Sequence, residues 1–168
     1  MSGRRSNDYV TRILDDPSQV DASAWNALLD AQAQPTLFMR HEYLLALHRS
    51  GSAVPRTGWS PRFITLWQGD RLCAATPAYL KAHSYGEYVF DWAWADAYAR
   101  HGLPYYPKLL VAVPFTPVPG SRLLGVDTDA CRALVDALQD AAEAWSVSSI
   151  HVLFHDEAEG PALAGNTW

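Results

Sequence analysis

Residues 79–115 are the part of the chain in which aromatic and ionisable side chains lie closest together. This stretch holds ten of the twenty aromatic residues. Its ionisable members include His83, Glu87, Asp91, Asp96, His101 and Lys108. Ligand sites commonly combine aromatic walls with a few well-placed polar groups. The stretch therefore predicts a groove in which tyrosine hydroxyls, a carboxylate and a histidine orient a polar ligand.

Three of these side chains would share one face of a helix. Asp91, Trp94 and Tyr98 are spaced i, i+3 and i+7, and residues three and four apart are neighbours on a helix surface. The alternative interpretation is structural. In that case a helix and a loop cover the sheet, with the aromatic residues in the core and the charges in solvent.

A second candidate site is the loop 120–127, which precedes a predicted long helix. Backbone N–H groups and the helix dipole bind phosphate at such positions. Arg122, Gly125 and Asp127 partly match the Arg/Gln-x-x-Gly-x-Gly/Ala loop with which acetyltransferases hold the coenzyme A pyrophosphate. Asp127 is the mismatch, and we favour it as the N-cap of the helix. Arg122 and Gly125 remain candidate cofactor-binding residues.

Patterns for metal binding and for hydrolysis are weak. His151 lies on a predicted strand and His155 at its exit, four residues on; along a strand this spacing is roughly 13 Å, too far for one ion. We therefore expect no metal site and interpret His151 as an ordinary sheet histidine. No Gly-x-Ser-x-Gly elbow is present. Cys73 and Cys131 are too few for a disulfide framework.

Composition and charge exclude several classes of protein. Hydrophobic residues make up 49% of the 168 residues, which is enough for a buried core and argues against intrinsic disorder. The net charge of −5 argues against DNA binding and gives no support to tRNA binding. No apolar run approaches the roughly 20 residues that span a bilayer, and no secretory signal is visible. We predict a cytoplasmic protein.

Hydrophobic periodicity predicts the elements that must position these residues. The predicted strands are 9–14, 62–68, 71–80, 108–114 and 149–154, and the predicted helices are 21–30, 40–49, 91–101 and 128–145. Gly69 and Asp70 form the turn of a hairpin. Residues 52–61 and 116–122 are predicted loops, and no element is predicted in the tail after residue 157.

The order of these elements indicates a mixed sheet. A hairpin followed by a β-α-β crossover is typical of α/β or α+β folds. Strands 108–114 and 149–154 should then be parallel. Strand 149–154 should lie at an edge, which could invite dimerisation.

Several segments of the sequence resemble the FemAB-like family of bacterial proteins. The resemblance is carried mainly by HSYGEYVFDWAWADAY at 83–98, RHGL at 100–103, YYPK at 105–108 and VPFTPV at 113–118. It extends to FMRHEYL at 38–44, TGWSPR at 57–62 and IHVLF at 150–154. The similar region covers residues 9–157, which we interpret as one domain, 1–157, followed by an irregular tail, 158–168.

The resemblance implies a GNAT-type acyl-CoA N-acyltransferase fold linked to peptidoglycan biosynthesis. Such chains usually contain two halves, and this chain resembles the N-terminal half, so we expect the fold to be incomplete at its C-terminus. The family's substrates would be a cell-wall precursor amine and an acyl-CoA or aminoacyl-tRNA donor, with no permanently bound cofactor. The expected partners are a small-molecule or precursor substrate and a second half or a second copy.

An acyltransferase needs a base for the amine and a donor for the leaving group. Candidate catalytic residues are Glu87, Asp91, His83 and Tyr85. Candidate substrate-binding residues are Tyr88, Trp92, Trp94, Asp96, Tyr98, Tyr105, Tyr106 and Lys108. The alternative function is a non-catalytic binding or scaffold half-domain that uses the aromatic groove of residues 83–108.

Overall fold

The computed structural model describes residues 8–88 and 90–164. It contains two four-stranded sheets and five α-helices in these ranges. The strands are β1 (Val10–Leu14), β2 (Trp59–Pro61), β3 (Phe63–Gln68), β4 (Arg71–Thr76), β5 (Ala78–Lys81), β6 (Lys108–Val111), β7 (Leu124–Gly125) and β8 (Ile150–Val152). The helices are α1 (Ala22–Asp30), α2 (His41–Arg49), α3 (Trp92–Arg100), α4 (Thr128–Ala144) and α5 (Gly160–Leu163). The prediction of a mixed α/β fold is confirmed.

The first sheet is antiparallel and has the strand order β1-β3-β4-β7. Its centre is the predicted hairpin of β3 and β4, in which Gly69 takes a positive φ of 57° in the turn. Glycine adopts this left-handed conformation without a steric penalty. The hairpin prediction is confirmed.

The second sheet has the order β2-β5-β6-β8 and ends in the parallel pair of β6 and β8. The chain passes from the first sheet to the second at Pro77, which separates β4 from β5. The sequence predicts one strand over 71–80 with a bulge or an edge position at Pro77. The structure instead has two strands that meet at Pro77, because proline cannot donate a hydrogen bond to a strand ladder. The parallel pairing and the edge position of β8 are confirmed.

Helices cover both faces of the strands. One buried cluster joins α1 and α2 to strand residues such as Phe63 and Leu110, and a second joins α4 to Ile64 and Leu109. Successive strand residues therefore enter opposite cores, as the two-residue period of a strand requires. Both clusters contain residues of both sheets, so that the strands form one middle layer between two helical layers.

Two predicted irregular regions contain regular structure. The predicted loop 52–61 includes the short strand β2, which pairs antiparallel with β5. The segment after residue 157 forms a helical turn, Glu157–Glu159, and then α5, whose Leu163 packs against the α4 core. Residues 165–168 of the predicted irregular tail lie outside the described residues.

Candidate functional site

Two fully buried lysines lie opposite each other in the second sheet. Lys81 ends β5, Lys108 begins β6, and the two residues are direct partners in the antiparallel register. They are the only lysines in the chain. Like charges opposite each other in a sheet destabilise it, and buried cations require partners. The surrounding structure must therefore supply negative charge.

The segment between β5 and α3 supplies two buried carboxylates. Glu87 Oε2 accepts a hydrogen bond from Lys108 Nζ at 2.7 Å, and Asp91 also accepts one from Lys108. Glu87 Oε1 lies 3.9 Å from Lys81 Nζ, too far for a hydrogen bond. We call Lys81, Lys108, Glu87 and Asp91 the lysine cluster. It contains two potential cations and two potential anions in one buried space.

The second lysine is held by different contacts. Lys81 Nζ donates to the Tyr85 carbonyl oxygen at 3.0 Å and lies 3.6 Å from the centre of the Trp59 ring. A cation over an indole face is stabilised by the negative electrostatic potential at the face of the neutral ring. Lys81 was not predicted as a site residue, because its pairing with Lys108 depends on the register of β5 and β6.

Burial shifts the proton affinities within the lysine cluster in opposite directions. It lowers the pKa of Lys81 to about 8 and raises the pKa of Glu87. Burial also acts to raise the pKa of Asp91, but hydrogen bonds from Lys108 and Tyr105 outweigh it, so that this pKa is lowered. The arrangement stabilises the ionised form of Asp91 and destabilises the charged forms of Lys81 and Glu87.

Asp91 connects the lysine cluster to an open cleft of about 340 Å³. The cleft is lined by Asp91, Trp94, Tyr98, Tyr105, Ser149 and His151. Three of these are the residues whose spacing predicted a shared helix face, and this grouping is confirmed. The structure therefore brings a carboxylate, a histidine, a serine and three aromatic rings together at one surface.

His151 is the cleft residue whose importance the sequence did not indicate. Its Nε2 lies 2.9 Å from Ser149 Oγ. Burial and the positive charge of Lys108 lower the pKa of His151, while the charge of Asp91 opposes this. The ring is therefore mostly neutral near pH 7, and a neutral imidazole can accept a proton. Strand alternation places Ser149 and His151 on one face, but cannot show that this face meets Asp91.

The predicted catalytic pair His83 and Tyr85 lies apart from this cleft. Their rings pack edge to face with centres 4.9 Å apart, and the Tyr85 N–H donates to His83 Nδ1 at 3.3 Å. A Cβ atom on Gly58 would meet the His83 ring at 2.1 Å, so glycine is needed there. Burial and the charge of Lys81 lower the pKa of His83.

The predicted substrate-binding residues divide into buried and exposed groups. Lys108 and Tyr105 are buried, and Tyr106 donates to Ser84 Oγ at 3.2 Å. Asp96 is exposed on α3. Five large aromatic side chains between residues 85 and 94 are also exposed, and of these Trp94 lines the cleft; they are Tyr85, Tyr88, Phe90, Trp92 and Trp94. Exposed aromatic groups of this size are candidates for contact with a ligand or a partner.

The predicted cofactor loop has a different arrangement from a phosphate site. Arg122 is fully buried, and its guanidinium donates to the backbone carbonyls of Val118, Gly120 and Leu153. Glu159 accepts hydrogen bonds from the backbone N–H groups of Arg122 and Leu123. We call Arg122 and Glu159 the arginine clamp. Its contacts favour a structural role for Arg122, and its pyrophosphate role stays a prediction.

The other two loop residues also have local structural roles. Gly125 lies in β7, and a Cβ atom there would meet Cys131 Sγ at 2.5 Å. The Asp127 side chain accepts a hydrogen bond from the Ala130 N–H at 2.7 Å and caps α4. The predicted N-cap is confirmed.

Comparison with known proteins identifies the family. The model of the FemAB-like family, described as peptidoglycan biosynthesis/recognition, matches residues 16–168. The chain belongs to this family. The match covers nearly the whole chain and includes both the lysine cluster and the cleft. Comparison with curated proteins gives no match.

Membership of the FemAB-like family connects the chain to peptidoglycan biosynthesis. A cell-wall precursor fits this family as a substrate class. Within the described ranges, none of the helices is long and apolar enough to cross a membrane.

Proposed function

We propose that this FemAB-like chain transfers an acyl or aminoacyl group to an amine of a peptidoglycan precursor. We further propose that the strands and helices form part of a GNAT-like fold. The family supports the substrate class, and the chemistry of the cleft supports the reaction. The observation that carries the proposal is that a histidine with a lowered pKa and an ionised carboxylate line one aromatic cleft.

The first requirement of the reaction is a base. An amine nucleophile must lose a proton during acyl transfer, and histidine is the commonest side chain for this role. His151 is available to accept the proton because burial and the charge of Lys108 lower its pKa, which favours the neutral ring. Asp91 would then stabilise the imidazolium that forms, since its own negative charge is maintained by Lys108 and Tyr105.

The second requirement is a binding surface for the acceptor and the donor. Trp94, Tyr98 and Tyr105 give the cleft apolar walls. In this proposal Glu87 positions Lys108 rather than contacting substrate, because Glu87 is buried behind it. The donor would be an acyl-CoA or an aminoacyl-tRNA, which arrives as a substrate and is not permanently bound.

The test combines donor binding with turnover. Acetyl-CoA is titrated calorimetrically, and acetyl or aminoacyl transfer to a peptidoglycan stem-peptide amine is followed by mass spectrometry. We expect His151→Gln to reduce transfer by about 100-fold or more, the scale of general base catalysis. His155→Gln is the matched control, since His155 does not line the cleft. Equal transfer by both variants would contradict the assigned role of His151.

A second candidate function is recognition without catalysis. The observation that favours it is the set of exposed aromatic side chains between residues 85 and 94, of which Tyr88 is 71% and Trp94 65% exposed. Aromatic faces can contact sugar rings and peptide backbones without any reaction. Saturable binding of a stem peptide or muropeptide, together with no transfer from either donor, would favour recognition over transfer.

A further inference from the structure

Ser149 has the geometry of a nucleophile in the proposed transfer cleft. Its Oγ lies 2.9 Å from His151 Nε2, within the hydrogen-bond distance expected of a nucleophile and its base. Both side chains line the cleft that also contains Asp91. Ser149 is partly exposed and can therefore be reached by a ligand. A serine, a histidine and a carboxylate are thus assembled without the sequence motif of a hydrolase.

The hydrogen bonds around Ser149 favour proton transfer to His151. Ser149 Oγ has a second hydroxyl neighbour, Ser148 Oγ, at the longer distance of 3.3 Å. Ser148 itself donates to the Tyr105 carbonyl oxygen. The Ser149 hydroxyl hydrogen therefore has two possible acceptors, and His151 Nε2 is the closer one. The Asp91 carboxylate lines the same cleft, and its charge favours the protonated ring.

We propose that Ser149 attacks activated acyl esters or thioesters and carries the acyl group as a serine ester. Ser149 Oγ forms a bond to the acyl carbon, His151 takes the hydroxyl proton, and the alcohol or thiol leaves with a proton returned by His151. An amine then attacks the serine ester and releases an amide, and Ser149 regains its proton. Where water attacks instead, the product is a free acid, so that the chain is also a slow esterase.

This inference deepens the proposed function and rests on it only for the final amine acceptor. The first half of the reaction requires an activated ester alone. It can therefore be tested without knowing the natural donor. It also predicts that transfer proceeds in two steps through a covalent intermediate.

The experiment uses p-nitrophenyl acetate as the acyl donor and the purified chain as the catalyst. We expect a burst of about one equivalent of p-nitrophenolate per protein, with the acetyl group located on Ser149 by peptide mass spectrometry. Ser149→Ala should abolish the burst, and His151→Gln should slow it by about 100-fold. Ser146→Ala is the matched control and should retain it, because Ser146 is exposed and does not line the cleft. A fluorophosphonate ester should label Ser149 in the wild-type chain.

Three outcomes distinguish the two proposals. Loss of both the burst and amine transfer in Ser149→Ala, with an unchanged thermal melt, supports the serine ester. Full amine transfer by Ser149→Ala overturns it and leaves the proposed function standing, with direct attack by the amine. A burst that persists in Ser149→Ala, or an acetyl group found on Lys81 or a tyrosine, also overturns it.

Discussion

The lysine cluster and the arginine clamp both contain buried charged groups, but these groups have different kinds of hydrogen-bond partner. In the clamp, the Arg122 guanidinium donates to backbone carbonyls and Glu159 accepts from backbone N–H groups. In the lysine cluster, Lys108 donates to the side chains of Glu87 and Asp91. The hydrogen-bond partners are therefore backbone groups in the clamp and, for Lys108, ionisable side chains in the lysine cluster.

This difference has a chemical consequence. The backbone partners of Arg122 and Glu159 cannot gain or lose protons, and their hydrogen bonds hold the loop 118–123 and the tail together. Ionisable side chains that are hydrogen-bonded to one another have coupled protonation states, so a ligand or a pH change that affects one of them can shift a proton to or from the other. The lysine cluster is also the region that reaches an open cleft, through Asp91. We therefore assign stability to the clamp and chemistry to the lysine cluster.

The largest expected effect comes from removing Lys108. Lys108→Met leaves the buried carboxylates Glu87 and Asp91 without their shared cation. Breaking a buried ion pair in this way costs about 3–5 kcal/mol of unfolding free energy. Urea denaturation measures the loss. The double variant Lys108→Met with Asp91→Asn should recover part of it, because one of the unpaired charges is then removed. A loss no larger than that of an exposed control would contradict the pairing.

Removing Glu159 tests the clamp. Glu159→Ala deprives three buried backbone N–H groups, those of Arg122, Leu123 and Asp156, of their acceptor. We expect a loss of about 2 kcal/mol or more, since an unsatisfied buried group costs about 1–3 kcal/mol. Transfer activity per folded molecule should be unchanged. Glu157→Ala is the control, because Glu157 is exposed. A selective loss of activity in Glu159→Ala would show that the division between the two regions is wrong.

The response to pH distinguishes the regions further. Lys81 has a pKa of about 8 in the folded chain and 10.5 as its ordinary value. Between these values the unfolded chain binds more protons at this residue, so its contribution to stability rises as the pH increases from 8 to 10.5. The difference in unfolding free energy between wild type and Lys81→Met should follow this rise. A difference that stays constant or falls over this range would contradict the lowered pKa.

The smallest expected effect concerns the helix next to the clamp. Asp127→Ala removes the N-cap of α4 and should cost about 1 kcal/mol. Thermal unfolding measures the loss, with Asp129→Ala as a nearby exposed control. We expect no change in transfer, because Asp127 does not line the cleft. A larger effect on transfer than on stability would reopen the phosphate-site interpretation of loop 120–127.

Local patterns predicted the elements of the fold well. The apolar stripe and the cap at Asp127 predicted α4, and the Gly69–Asp70 turn predicted the hairpin of β3 and β4. These features depend on neighbouring residues only. Pro77 shows where such patterns fail, since it could mark a bulge, an edge or a change of sheet. Only the contacts of β5 with β2 and β6 decide between these possibilities.

The candidate site was predicted in part. Helical spacing correctly grouped Asp91, Trp94 and Tyr98, because Asp91 directly precedes α3, which contains the other two residues. Lys81 and His151 were missed as site residues, because each is defined by pairing across strands. Lys81 meets Lys108 only in the β5–β6 register, and His151 reaches the cleft only when β8 lies beside β6.

The strand order of the first sheet has a consequence for how fast the chain folds. β1 pairs with β3, so that Val10 lies opposite Trp67, and β4 pairs with β7, so that Ala74 lies opposite Gly125. Each pairing closes a long loop before its contacts can stabilise it, and that entropy cost slows folding. A nascent chain cannot complete this sheet until β7 has been synthesised. Until then β4 has an open edge, and unpaired strand edges favour aggregation.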